Sequence, residues 1–255
     1  MDPILHVQGL EKIYGGRGNR THALRGLDLK VFPGEFVGVM GPSGSGKTTL
    51  LNCISTIDAP SAGSIMVDGA ELTRLKGKAL AKFRRERLGF IFQDCNLLDT
   101  LTGLENIALA LTISGTDPRS VEKRAREAAA LLGVEDVLDK FPYQMSGGQQ
   151  QRVAAARAMV TNPALIFADE PTGALDSKST GMLLGQLDKL NRQEGATILL
   201  VTHDAFTASY CRRILFLRDG QLYKELHRGG TDRRMFFREI LSVVSELGGD
   251  SGDVL

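Results

Sequence analysis

The sequence predicts an α/β fold with an antiparallel β lobe at its front, and three observations carry that expectation. The apolar run at residues 35–40 (EFVGVM) leads directly into the glycine-rich GPSGSGKT of residues 41–48 and then into the helix-compatible TTLLNCIS. Ahead of it, residues 4–40 read as a run of strands: Ile4 to Val7, a break at Gly15, Gly16 and Gly18, then Leu27, Leu29 and Val31 alternating with polar positions before Pro33-Gly34. Behind it, strand-like runs at 165–168 and 197–202 are separated by long helical segments.

Residues 64–67, followed by Asp68-Gly69, suggest a further strand and turn, and the basic stretch 76–87 reads as a solvated helix face. Residues 88–92 form an apolar run that ends in Gln93, with an amphipathic segment at 105–113 after the next loop. Asp117 and Pro118 supply a cap and a first helical position. Val121, Ala125, Ala128 and Leu132 then recur at helical spacing until Gly133 stops the helix. A second, alanine-rich helix opens after Ser146-Gly147-Gly148-Gln149 and ends before Asn162-Pro163. A turn at 174–176 precedes a helix to Gln193, and strands at 214–217 and 221–226 should close the core.

The chemistry is concentrated at the glycine-rich loop. It fits G-x-x-x-x-G-K-[ST] between a strand and a helix, the context that makes the pattern a nucleotide-binding loop. Gly41, Gly44 and Gly46 let the backbone turn several N–H groups onto one anion, with Pro42, Ser43 and Ser45 between them. The following helix adds unpaired amides and the positive end of its dipole. Lys47 is expected to reach the β- and γ-phosphates, Thr48 to ligate Mg²⁺, and Thr49 to reach an α-phosphate oxygen. Asp169 and Glu170 end a strand as adjacent carboxylates, an arrangement that is costly unless it faces a cation or a reaction. Alternation assigns Asp169 to Mg²⁺ and Glu170 to the water that attacks the γ-phosphate. Gln93, at a strand end next to the phosphate site, can ligate Mg²⁺ through its amide oxygen and is also a hinge candidate. His203, delivered by the last of these strands, could bond the γ-phosphate and attacking water. Tyr14 is either a half-buried strand tyrosine or a platform on which a purine stacks. Ser146 over two glycines reads either as an ordinary helix cap or as a second anion site at a helix start. Two phosphate sites and one nucleotide per chain suggest a dimer.

Composition limits the partners. The formal charge of +1 gives no general attraction to nucleic acid or anionic lipid. The three cysteines, odd in number and without C-x-x-C spacing, read as small buried hydrophobes in a reducing cytosol. The first residues show no charged-then-apolar leader, and no apolar run approaches the ~18 residues of a membrane span, so the chain is expected to be soluble by itself.

The order GPSGSGKT, Gln93, MSGGQ, LIFADE, ALD and His203 resembles the ATP-binding subunit of ABC transporters over nearly the whole chain. The resemblance implies a P-loop NTPase fold of the ABC ATPase type: an antiparallel β lobe, a RecA-like core and a helical signature lobe at about 95–160. Residues 1–230 would be the ATPase domain, and 231–255 a C-terminal helix and flexible end. It makes Tyr14 the adenine-stacking residue, Gln93 the Q-loop, Ser146, Gly147, Gly148 and Gln149 the signature that meets the partner chain's ATP, Asp176 the D-loop and His203 the switch histidine. Met145 stands where the family usually has Leu, which keeps the apolar bulk. A symmetric dimer of two such chains follows, each ATP lying between one loop and the other chain's signature.

THALRGLDLKVFPGE, FIFQ, PTGALDS and VTHD resemble the branch serving lipoprotein release, macrolide efflux and antimicrobial-peptide resistance. RRMFFREILSVVSELGGD resembles the bacitracin-export type. That resemblance implies a large membrane permease as partner, a sensor kinase reached through it, and a place on the cytoplasmic face of the membrane. A GTPase or small-molecule kinase should lack MSGGQ, and no N-K-x-D element for guanine is present. A non-transport family member acting on ribosomes or DNA usually carries two cassettes or a long coiled coil, whereas this chain has one motif set. In the tail, Phe236, Ile240, Val243, Val244 and Leu247 form one helical stripe that must be covered by the chain's own core, by the other ATPase chain or by the permease.

Overall fold

The computed structural model describes residues 2–16 and 19–248. The elements in the first part of the chain are β1 (Leu5–Tyr14), β2 (Thr21–Val31), β3 (Phe36–Met40), α1 (Lys47–Ile54), β4 (Ala62–Val67), β5 (Ala70–Glu71), α2 (Gly77–Arg87) and β6 (Leu88–Phe92). Next come α3 (Gly103–Ile113), α4 (Pro118–Leu132), α5 (Gly147–Met159), β7 (Leu165–Asp169) and α6 (Ser177–Glu194). The last are β8 (Ile198–Val201), α7 (Ala205–Ala208), β9 (Arg213–Arg218), β10 (Gln221–His227) and α8 (Arg233–Gly248). They fall into two compact units. One holds the described residues of Met1–Leu75 and Leu199–Leu255, the other Lys76–Ile198.

In the first unit β2, β1, β4 and β5 form an antiparallel sheet. Leu5 lies opposite both Val31 and Val67, and Val7 opposite Leu29 and Ile65, so one face of alternating apolar residues is buried. The sequence suggests a strand ending at Val7, but β1 runs on to Tyr14. Gly9, at φ 54°, absorbs a register shift in pairing with both neighbours, and the strand resumes beyond it. Strand β3, which leads into the glycine-rich loop, is buried at all five positions and pairs in parallel with β9, which pairs antiparallel with β10.

The tail helix α8 answers part of the question left by its stripe. Phe236, Ile240 and Val243 are buried within the chain, each full burial of this kind being worth roughly 1.5–3 kcal/mol. Val244, on the predicted stripe, is exposed and Leu247 only half-buried. Gly248, expected to begin a flexible end, is instead the last residue of α8, and Gly249 and the residues after it lie outside the described residues.

In the second unit β6 and β7 pair in parallel, with Phe90 against both Phe92 and Phe167. Helices α3, α4 and α5 pack on one another. The boundaries of α4 follow its punctuation: the Asp117 side chain accepts from Arg119 N, Pro118 opens the helix, and Gly133 closes it at φ 60°. Helix α2 buries no residue, as a solvated basic face requires. Cys53, Cys95 and Cys211 are all buried, and none is in a disulfide among the described residues.

Candidate functional site

The loop at 41–48 takes the form its glycines permit. Gly46 is the N-cap of α1 at φ 103°, and a Cβ there would lie 2.6 Å from the Ala23 carbonyl oxygen, so only glycine is accommodated. No side chain caps α1 and no acidic residue stands in its first turn. The first turn of α1 thus lacks the side-chain cap that most helix starts carry. Ser45 is buried, and its Oγ lacks a hydrogen-bond partner among the described residues. Lys47 Nζ lies 2.8 Å from Gly41 O and 2.9 Å from Pro42 O, which holds its ammonium over the loop. Ser43, Gly44 and Thr48 are exposed. A glycine-rich turn into a helix start without a side-chain cap, with a cation folded over it, fits a polyphosphate.

Tyr14 ends β1 and is 40% exposed. Its hydroxyl donates to Asp58 Oδ2 at 3.0 Å. Lys12 Nζ lies 4.9 Å from the ring centroid and donates to Asp58 Oδ1 at 2.7 Å. The hydrogen bond from Lys12 holds the Asp58 carboxyl below the usual carboxylate range. The ring is thus pinned at its hydroxyl and faced by a cation. His203, in the same unit, is exposed immediately after β8. It sits between the buried Thr202, whose amide donates to Val39 O, and Asp204, which caps α7 through Phe206 N and Thr207 N.

The second unit gathers the remaining candidates. Register pairs Phe92 with Asp169, so Gln93 and Glu170 follow adjacent strands at the same end. Glu170 adopts φ 44°, a left-handed backbone that costs a non-glycine residue of order 1–3 kcal/mol and that the turn closed by Gly173 N to Glu170 O maintains. The Gln93 amide group fills the space beside Gly173, where a Cβ would come within 3.1 Å of it. Ser146 caps α5, accepting from Gln149 N at 3.3 Å while its own amide donates to Gln149 Oε1 at 2.9 Å. Asp176 caps α6, with Oδ1 accepting from Lys178 N and Ser179 N and Oδ2 from the Ser179 hydroxyl. These bonds, the Ser179 amide first, lower its pKa. A Cβ on Gly148 would meet Ser179 Oγ at 2.5 Å, so the glycine of the signature permits close packing against the Asp176 cap.

Several residues that hold this arrangement are not singled out by the sequence pattern. Gln151 donates to Phe92 O at 2.8 Å and accepts from Cys95 Sγ at 2.6 Å, while Arg157 donates to the carbonyls of Cys95 and Asn96. Both side chains come from α5, so the helix that begins at the signature also ties down the loop after Gln93. Burial pushes the Cys95 thiol up to about 11, which keeps it protonated in its bond to Gln151. The run QQQ conceals this difference: Gln150 instead donates to Pro142 O and Met145 O. A groove of about 440 Å³ lies on the same unit between α2, β6 and α3, lined by Arg84, Phe90, Phe92, Ala110 and Ile113.

A family model described as ABC transporter matches residues 24–173, more than half of the chain. This chain belongs to the ABC transporter family. Bacitracin export ATP-binding protein BceA of Halalkalibacterium halodurans is 51% identical over 250 residues, covering 98% of this chain and 99% of that protein. The solved dimer of the ATP-binding cassette MJ0796, in a post-hydrolysis state bound to ADP and Pi, superposes with a TM-score of 0.80 at 40% identity, covering 89% of this chain and 99% of that one. The macrolide export ATP-binding/permease protein MacB of Marinobacter nauticus is 44% identical over 88% of this chain, which spans 34% of that longer protein. The family match contains the loop at 41–48, Gln93, the signature, Asp169 and Glu170. Tyr14, Asp176 and His203 lie outside it.

Proposed function

We propose that this chain is the ATP-hydrolysing subunit of a membrane transporter that confers resistance to bacitracin-like antimicrobial peptides. The observation that carries the reading is the complete ordered motif set in a chain matching the bacitracin export ATP-binding protein along almost its whole length. Gly41, Pro42, Ser43, Gly44, Ser45, Gly46, Lys47, Thr48 and Thr49 bind the phosphates, with Tyr14 stacking on the adenine. Glu170 takes the proton of the attacking water, and His203 orients it. Thr48, Gln93 and Asp169 offer a hydroxyl, an amide oxygen and a carboxylate, a set of hard oxygen donors suited to Mg²⁺. The ion would neutralise charge on the β- and γ-phosphates.

Ser146, Gly147, Gly148 and Gln149 act on the nucleotide of a second copy of the chain, and Asp176 stands beside that interface. The dimeric relative supports this reading. The partner in the membrane is a permease, in line with the relative that combines ATP-binding and permease parts in one protein. It would place the chain at the cytoplasmic face, with a sensor kinase reached through the same permease. No helix among the described residues is long and apolar enough to cross a membrane. The apolar groove beside Phe90, Phe92 and Ile113, together with the neighbouring loop around Leu98 and Leu101, is the seat for a permease helix. Residues 1–230 form the ATPase domain, with the helical lobe at about 95–160, and 231–255 the appended tail.

The test is Glu170→Gln in the assembled complex. The amide keeps the shape of the carboxylate but cannot accept the proton, so ATP affinity should persist while turnover falls ~10²- to 10⁴-fold and ATP-bound dimers accumulate. Parental turnover would overturn the assignment. The membrane protein that co-purifies, followed by growth tests with cell-wall-active peptides, separates peptide resistance from macrolide export or lipoprotein release.

A further inference from the structure

The α7–α8 face is built around an arginine cluster that hydrolysis does not use. Phe206, Phe237 and Leu241 line a cavity of about 500 Å³, together with Arg233, Arg234 and Arg238. The Arg233 guanidinium lies 4.2 Å from the Tyr210 ring centroid and 5.4 Å from that of Phe206, and its Nη1 is buried without a hydrogen-bond partner. Two aromatic faces therefore hold this cation in place of a carboxylate. Arg234 and Arg238 are exposed, and among the described residues no carboxylate is paired with any of the three. Asp232, beside them, accepts from the backbone amide of Arg234 rather than from a guanidinium. Three unpaired cations within six positions stand out on a chain whose net charge is +1.

From this cluster we infer a docking site for an acidic peptide segment that carries a bulky apolar side chain, supplied by a partner protein. The apolar side chain would enter the cavity between Phe206, Phe237 and Leu241. Neighbouring carboxylates would reach Arg234 and Arg238, and bidentate pairing suits a guanidinium. A lipid surface is the poorer fit. The site is concave, and the same helix exposes Glu239 and Glu246, the latter paired with Lys224, which an anionic bilayer would repel. The inference does not rest on the ATPase reading, because none of these residues is placed in the nucleotide or signature machinery.

The test is selection of a random 15-residue displayed peptide library on the full chain, with counter-selection on Arg234→Glu/Arg238→Glu. Both substituted side chains are exposed, so melting temperature and ATP turnover should match the parent. Clones specific to the parent should combine Asp or Glu with Leu, Phe or Trp. Their synthetic peptides should lose at least ~10-fold in affinity on the double variant, and as much when their acids are amidated. Selection that yields no arginine-dependent acidic clones overturns the proposal. So does binding to vesicles containing 30% phosphatidylglycerol that the double variant loses while no peptide is selected, since the cluster would then read a headgroup. Loss of ATP-dependent self-association in the double variant would assign the face to a second copy and also overturn it.

Discussion

Helices α1 and α5 both begin on glycine-rich turns, yet their first amides are treated in opposite ways. At α5 the serine side chain accepts from the glutamine amide three residues on and the glutamine side chain accepts from the serine amide, so a capping box closes this terminus from within the chain at two of its donors. At α1 the cap is a left-handed glycine with no side chain to offer, and the nearby Ser45 hydroxyl is buried without a partner. Polar groups left in that condition cost stability unless something accepts from them. A terminus that carries its own side-chain cap can be read as structure first and function second. One left unfinished needs a ligand to account for it, and the lysine folded over the loop states the ligand's charge.

The sharpest way to break this contrast is Gly46→Ala. The new Cβ would lie 2.6 Å from Ala23 O at a φ that L-residues avoid, so the loop must move. Strain of ~1–3 kcal/mol corresponds to a loss of about 5- to 150-fold in ATP affinity, measured at equilibrium with labelled nucleotide. Parental affinity in this variant would mean that the uncapped terminus is not the phosphate site.

Ser146 sharpens the other side of the comparison, because its two roles can be separated. Asp caps a helix about as well as Ser, so Ser146→Asp should leave the melting temperature near that of the parent, while Ser146→Ala loses roughly 0.5–2 kcal/mol. If Ser146 also meets the partner's phosphate, the carboxylate of Ser146→Asp repels that anion. Turnover should then fall at least ~10-fold with ATP binding to the single chain intact. A Ser146→Asp chain that melts and hydrolyses like the parent would reduce Ser146 to a cap.

The contrast between the two termini was half legible in the sequence. The loop, the serine before two glycines and the adjacent carboxylates are local patterns, and local patterns fix helix ends well: Asp117, Pro118 and Gly133 bound α4 as their chemistry requires. What escaped depends on pairing across distance. Strand β1 passes Gly9 because β4 continues to pair beyond it, with Glu11 opposite Ala62. The clamp on Tyr14 joins Lys12 to Asp58 across 46 positions. Gln151 could not be told from its glutamine neighbours until the loop after Gln93 was seen against it. In α8 the stripe was legible as apolar, but only packing shows that Phe236, Ile240 and Val243 go inward while Phe237 and Leu241 line a second face beside α7.

The smallest expected effect concerns Asp176, the most completely engaged of these caps. Its carboxylate accepts two backbone amides and the Ser179 hydroxyl, and those bonds place its folded pKa below the ordinary value of 3.8. A group whose pKa is lower folded than unfolded binds fewer protons in the folded state near that pH. Its stabilisation is therefore present above 3.8 and is lost as pH falls through the lowered folded value. Asp176→Asn keeps a capping oxygen but not the charge, so it mimics the protonated acid. Denaturant midpoints of the two chains should differ at pH 6 and draw together below pH ~3.8, a modest shift because the group is exposed and solvent-screened. A gap that stays constant from pH 6 down to the acid limit would show that charge contributes nothing to this cap. The low pKa would then have no consequence for stability, and Asp176 would stand as a neutral cap of the same kind as Ser146.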